Sequence, residues 1–195
     1  VKVPDTRLDW LAELYQPKKY TPAELEFLDL PGLDLSDEAG RDRGKAHWPA
    51  MRQSDMLVFV VRAFDDPSVP EYRQRVDPVG DVRELREELL FADLEQVTNR
   101  VAKLEQAIKK PTAQREQQQR ELELMRRLAD ALENEQPIAS AVATEAEAKT
   151  IRSFGFLSQK PLLAVWNGSE DELDATEPAE IDSVPVLRLS AKIEQ

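Results

Sequence analysis

The sequence predicts an α/β fold on two kinds of segment. Short apolar runs at 56–61 (MLVFVV), 161–166 (PLLAVW) and 184–189 (VPVLRL) read as strands of a parallel sheet, the first of them buried on both faces. Between the first two lie about 100 residues whose apolar positions follow helical rather than alternating spacing. Strands separated by helical connections are what a parallel sheet requires, because parallel neighbours need long crossovers.

The elements follow in order along the chain. Residues 1–4 (VKVP) read as the end of a strand. Residues 5–16 predict a short amphipathic helix, with Leu8, Leu11 and Leu14 at helical spacing behind a cap at Asp5. Pro17 and Pro22 bracket a loop, and residues 25–30 (LEFLDL) read as a strand ended by Pro31 and Gly32. Residues 33–47 hold Gly40 and Gly44 among alternating charges without a sustained period, which predicts a mobile surface loop.

Apolar residues Leu90, Leu94, Val97, Val101, Leu104 and Ile108 recur at spacings of four and three, a heptad seam that Pro111 ends. A second helical stretch over 113–135 presents Leu122, Met125, Leu128 and Leu132. Neither helix can bury its narrow stripe alone, so the pair predicts an antiparallel, coiled-coil-like hairpin. Residues 144–154 predict a further helix, with Thr144 and Glu147 at capping-box spacing. The implied organisation is an α/β domain over 1–81 and 155–195, interrupted by a helical hairpin over 82–154. The acidic stretch 170–182 reads as a solvated connection.

Composition narrows the functional classes. The 195 residues carry 26 Lys and Arg against 38 Asp and Glu, a formal net charge of −12, so DNA is not an expected partner, and nucleic acid in general requires a local basic patch. The absence of Cys excludes disulfides, thiolate zinc sites and a cysteine nucleophile, and the single histidine, His47, excludes any site built on two imidazoles. No apolar run approaches a membrane span, and a cytoplasmic location is expected. Arg41, Arg43 and Lys45 form a small basic cluster, read as part of a solvated loop.

Four collinear stretches resemble the Obg-like ATPase family, also called YchF, a branch of the P-loop GTPase superfamily. They are VKVPDTRLDWLAELYQPKK leading into AELEFLDLPGL; VVRAFDDP followed by RVDPVGD and ELREELLFADLE; LSQKPLLAVWNGSED; and VPVLRLSAKIE. The resemblance covers nearly the whole chain and implies a P-loop NTPase-like, mostly parallel sheet carrying the inserted hairpin. It implies binding of ATP, with GTP weaker, slow Mg²⁺-dependent hydrolysis, and a regulatory role with ribosome association. In it, Asp29 holds the metal through a water, and Gly32 stands at the catalytic position beside the γ-phosphate. Asn167, Gly168 and Glu170 occupy the place of the guanine-reading Asn-Lys-x-Asp. A Glu at the fourth position spoils the bidentate geometry that an Asp offers guanine. Ser190, Ala191 and Lys192 match the second base-contacting loop.

The sequence departs from the family pattern in three places. No Gly-x-x-x-x-Gly-Lys-[Ser/Thr] occurs, so the chain lacks the N–H cradle, lysine and metal-binding hydroxyl of a phosphate loop. In the family that loop and its strand precede the VKVP stretch, and a carboxyl-terminal domain follows; neither lies in these residues. Loss of that central strand leaves a gap between 25–30 and 56–61 that another segment must fill or around which the sheet must rearrange. The glycine run after Asp-x-x-Gly is reduced to Gly40 and Gly44, and a histidine implicated in hydrolysis is replaced by Phe59. These departures support an alternative expectation: a non-catalytic relative acting as a protein-interaction scaffold through its hairpin.

Overall fold

The computed structural model describes residues 1–33, 37–69, 75–111, 113–170 and 179–192, so most of the expected acidic connection lies outside the described residues. The sheet contains strands β1 (Leu57–Ala63), β2 (Leu162–Gly168), β3 (Glu180–Ile181) and β4 (Val184–Leu189) in the order β1-β2-β4-β3. The β1–β2 and β2–β4 pairs are parallel, and only the short β3–β4 pair is antiparallel. The fold is therefore α/β with a mostly parallel sheet. Asp182 and Ser183, both with positive φ (48° and 70°), make the two-residue turn that joins β3 to β4. Strand β3 and Asp182 fall within the stretch 170–182 expected to be a solvated connection, whereas β4 is the expected strand.

Helix α1 (Thr6–Tyr15) is capped as expected, Asp5 accepting from the Arg7 N–H at 3.0 Å. None of its residues is buried, and Trp10 and Tyr15 are exposed. The expected strand over 25–30 does not form. Its neighbourhood holds one isolated antiparallel bridge, Lys2 to Glu24, with Val3 N–H bonded to the Ala23 carbonyl and Leu25 N–H to that of Val1. Two short extended segments with no third neighbour make no stable sheet, and Phe27 and Leu28 stay in solvent. Among the described residues no segment pairs with the outer edge of β1, so nothing fills the expected gap. Nor is β1 buried on both faces: Leu57, Phe59 and Val61 are buried, while Val58 and Val60 on the other face are exposed, so one face of the strand is left uncovered.

The expected loop over 33–47 instead contains a helix, α2 (Glu38–Lys45), followed by α3 (Trp48–Gln53). Asp37 caps α2 by accepting from the Gly40 N–H at 2.6 Å. Gly40 and Gly44 lie one turn apart on its buried face, and a Cβ at Gly44 would come within 3.2 Å of the Leu33 side chain. The glycines that read as loop residues are buried helix residues, and Gly44 is closely packed.

Helix α4 (Pro78–Ala107) runs for 30 residues and begins well before the heptad seam. Its first half lies against the sheet through Val82 and Leu89; its second half pairs with α5 (Arg115–Glu133). Val97 and Leu104 pack with Leu122, Met125, Leu128 and Leu132, the contact the seam predicts. The return helix α6 (Glu145–Arg152) starts at Thr144, whose hydroxyl accepts from Glu147 N–H at 3.2 Å.

One ionic junction ties these parts together. Asp93, on α4, is fully buried and accepts from Arg52 Nη1 at 2.6 Å and from the backbone N–H groups of Leu157 and Ser158 at 3.0 and 2.8 Å. Arg52, on α3, also donates to the Ala92 carbonyl at 3.0 Å. The carboxylate thus satisfies the turn that leads into β2, and the guanidinium holds α3 against it.

Candidate functional site

Because β1, β2 and β4 are parallel, their carboxyl ends lie along one edge of the sheet, where open α/β sheets bind ligands. Asn167 sits at that edge, paired with Arg62 of β1 on one side and Leu189 of β4 on the other. Its side-chain oxygen accepts the Ala191 N–H at 2.9 Å, joining the residues after β2 to those after β4. Lys192 extends toward Glu170, with Nζ 3.9 Å from Oε1. Ser190 is buried, and its hydroxyl oxygen has no hydrogen-bond partner among the described residues. Gly168 follows Asn167 in β2, half-buried. The structure thus brings Asn167 together with Ala191, and Glu170 with Lys192.

A third loop meets this edge. Arg62 donates to three backbone carbonyls, those of Phe64 and Val69 at 2.9 Å and that of Asp66 at 3.1 Å, and so shapes residues 64–69 beside Asn167. Asp66 accepts from the Ser68 hydroxyl and N–H, which together hold its carboxyl below the usual range; the charges of Arg62 and Lys192 add to that effect. Sequence reasoning noted the stretch VVRAFDDP without giving Arg62 or Asp66 a role. The signal available was an arginine ending an apolar strand.

Asp29 and Gly32 lie in the irregular segment between α1 and α2. No hydrogen bond or ion pair joins either to Asn167, Glu170 or residues 190–192 among the described residues. Leu30 and Leu33, their neighbours, pack on a cluster that includes Trp48, Met51, Leu57 and Phe59. No atom lies within 4 Å of where a Gly32 Cβ would sit, so the space beside that backbone is open. No cluster of three or more His, Cys, Asp or Glu side chains suited to a metal occurs among the described residues. Asp29, an exposed carboxylate, fits a Mg²⁺ ion whose other ligands are phosphate oxygens and water, and no all-protein cage. His47 precedes α3 without a side-chain capping bond, and Phe59, buried in apolar surroundings, carries no group that could move a proton. No helix among the described residues is long and apolar enough to cross a membrane.

No family model matches the chain. Individual proteins do. The ribosome-binding ATPase YchF of Bacillus subtilis is 34% identical over 188 residues, covering 96% of this chain and 50% of that protein. The Obg-like ATPase 1 of Oryza sativa subsp. indica is 34% identical over 172 residues, covering 88% of this chain and 43% of its own length. The solved structure of the Schizosaccharomyces pombe YchF GTPase superposes with a TM-score of 0.71 at 26% sequence identity, covering all of this chain and 55% of that one. The chain spans about half the length of the curated relatives it matches. Over that shared half it belongs to the Obg-like ATPase family, also called YchF.

Proposed function

We propose that the protein to which this chain belongs binds ATP, and GTP less well, and hydrolyses it slowly with Mg²⁺ as a regulatory, ribosome-associated NTPase of the cytoplasm. The observation that carries the reading is the bond from the Ala191 N–H to Asn167, which joins two loops at the carboxyl edge of a parallel sheet. In this reading Asn167, Gly168, Glu170, Ser190, Ala191 and Lys192 frame the base. Glu170 disfavours guanine, because its longer side chain misplaces the carboxylate that would accept from two guanine N–H groups. Asp29 holds a metal-bound water, and the Gly32 N–H meets the γ-phosphate. The metal, when bound, neutralises charge on the phosphate oxygens. Departure of the γ-phosphate then repositions residues 33–48. Ribosome association is inferred from bacterial relatives such as the ribosome-binding ATPase YchF of Bacillus subtilis.

The buried position of Phe59 favours a second reading, a non-catalytic scaffold working through the hairpin, because no histidine acts from that strand. Calorimetric titration of the full-length gene product with ATP and GTP, followed by a phosphate-release assay with and without Mg²⁺, separates the two. Micromolar affinity with metal-dependent turnover supports the enzyme. Absence of binding at millimolar ATP supports the scaffold.

A further inference from the structure

The chain passes between the sheet and the α4–α5 hairpin at two places, the middle of α4 and the turn before β2. Arg52 of α3 bonds to both. Its guanidinium reaches Asp93 at 2.6 Å and the Ala92 carbonyl at 3.0 Å on α4, and the Gly155 carbonyl at 3.3 Å on the returning segment. Asp93 in turn accepts from the Leu157 and Ser158 N–H groups. Gly155 has a φ of 58°, and a Cβ there would come within 2.8 Å of the Arg52 carbonyl oxygen, so α3 meets this neck through its backbone as well as its side chain.

The same contact extends to the residues beside Gly32. Leu30 and Leu33 pack in one apolar cluster with Trp48 and Met51 of α3, Leu89 and Ala92 of α4, and Leu157. Helix α2 is tied into it, since a Cβ at Gly44 would come within 3.2 Å of the Leu33 side chain, and Arg41 Nε lies 3.8 Å from a Glu88 carboxylate oxygen on α4. A contiguous set of packed side chains therefore joins the segment assigned to the γ-phosphate to the neck of the hairpin. It ends in an all-or-none element. A fully buried carboxylate is strongly disfavoured when half-paired, so α3 and the neck either move together or separate outright.

We propose that Arg52 is the coupling residue through which the bound nucleotide sets the tilt of the hairpin against the sheet. The proposal rests on the nucleotide reading above and names a means of regulation for that site. A γ-phosphate held at Gly32 fixes Leu33 and, through the shared cluster, seats α3. Its departure shifts α3, and Arg52 carries the neck with it. The continuous helix α4 enlarges the motion: Asp93 to Ala107 spans about 21 Å at 1.5 Å per residue, so a tilt of about 10° at the neck moves the end of α4 by roughly 4 Å. By linkage, holding the hairpin at one tilt changes nucleotide affinity by the factor through which the nucleotide changes the tilt equilibrium.

The test places thiol spin labels at Lys110→Cys, at the hairpin end, and Glu180→Cys, on the sheet, in the full-length protein with any other cysteine replaced by Ser. Both positions are exposed, and these 195 residues contain no Cys. Pulsed dipolar spectroscopy measures the distance with Mg²⁺-ADP and with a non-hydrolysable ATP analogue, and calorimetry records the binding of each. The wild-type distance is expected to differ by about 3 Å or more between the two nucleotides. Arg52→Ala is expected to lose most of that shift while changing analogue affinity by less than about threefold, because Arg52 lies outside the nucleotide site. Arg52→Lys keeps a cation beside Asp93 but lacks the fork that reaches both crossings, so it is expected to lose most of the shift at a near wild-type Tm and carries the test if the alanine variant unfolds. Arg126→Ala, which breaks an exposed ion pair with Glu105 on the hairpin itself, is expected to keep the shift. A full wild-type shift in a folded Arg52 variant, or equal loss in Arg126→Ala, overturns the proposal. A wild type that binds the analogue at an unchanged distance overturns the coupling alone, whereas one that binds neither nucleotide overturns the nucleotide reading and the coupling with it.

Discussion

Arg52 and Asp93, 41 residues apart in sequence, meet at 2.6 Å in a junction where the carboxylate is fully buried. Three segments depend on it: α3, the middle of α4 and the turn before β2. Asp93→Ala leaves the half-buried Arg52 guanidinium without its counter-charge and two backbone N–H groups without their acceptor. The expected cost is about 3–5 kcal/mol, read as a fall in the urea midpoint at constant m-value. A variant within about 1 kcal/mol of wild type contradicts the role assigned to the junction.

Leu104, 2% exposed, anchors the seam between α4 and α5. Leu104→Asp removes that anchor and buries a charge, so the hairpin is expected to unfold locally, with a loss of helical circular dichroism. Ala102→Asp, on the exposed side of the same turn, is expected to keep the signal. Equal helicity in both variants contradicts the pairing.

Glu147 is held below the usual carboxylate range, first by the Ala143 N–H and then by Arg127. A folded-state value depressed in this way contributes stability that is present above the unfolded-state value, about pH 4, and is lost as pH falls through the lower folded value. Glu147→Gln is therefore expected to reduce the dependence of Tm on pH between about 5 and 3. An unchanged acid limb would show that the contact contributes nothing.

Ser183, with φ of 70°, occupies a left-handed position in the β3–β4 turn. Ser183→Gly is expected to be neutral or to stabilise by up to about 1 kcal/mol, and Ser183→Val to destabilise by about 1–2 kcal/mol. Thermal unfolding of the pair checks the sign. Stabilisation by valine contradicts the turn geometry.

Much of this architecture was legible because its signals are local. The seam from Leu90 to Ile108 reports a helix that packs on one partner, and the runs ending at Trp166 and Leu189 report strands covered by neighbours. The failures share one cause, that burial is a property of surroundings. Residues 25–30 read as a strand from their apolar content ahead of Pro31 and Gly32, yet among the described residues Phe27 and Leu28 have no neighbouring strand to pair with. Gly40 and Gly44 weaken a helix by propensity, but both are buried on one face of α2, and a Cβ at Gly44 would come within 3.2 Å of the Leu33 side chain. Asp93 looked like one more acid on a charged helix; nothing near it in sequence indicates that Arg52 and the N–H groups of Leu157 and Ser158 surround it. At the candidate site, Asn167 and residues 190–192 were singled out by the family resemblance at positions that follow apolar runs. The clamp made by Arg62 was not, because its acceptors are backbone carbonyls.

The central claim is that one nucleotide engages both the Asn167–Ala191 pair and the segment around Asp29 and Gly32, which no hydrogen bond joins among the described residues. Hydrogen–deuterium exchange of the full-length protein, with and without saturating Mg²⁺-ATP, tests it most directly. Slowed exchange in residues 29–33 together with 167–170 and 190–192 is the predicted result. Slowed exchange at one group alone, or at neither while ATP is bound, contradicts it.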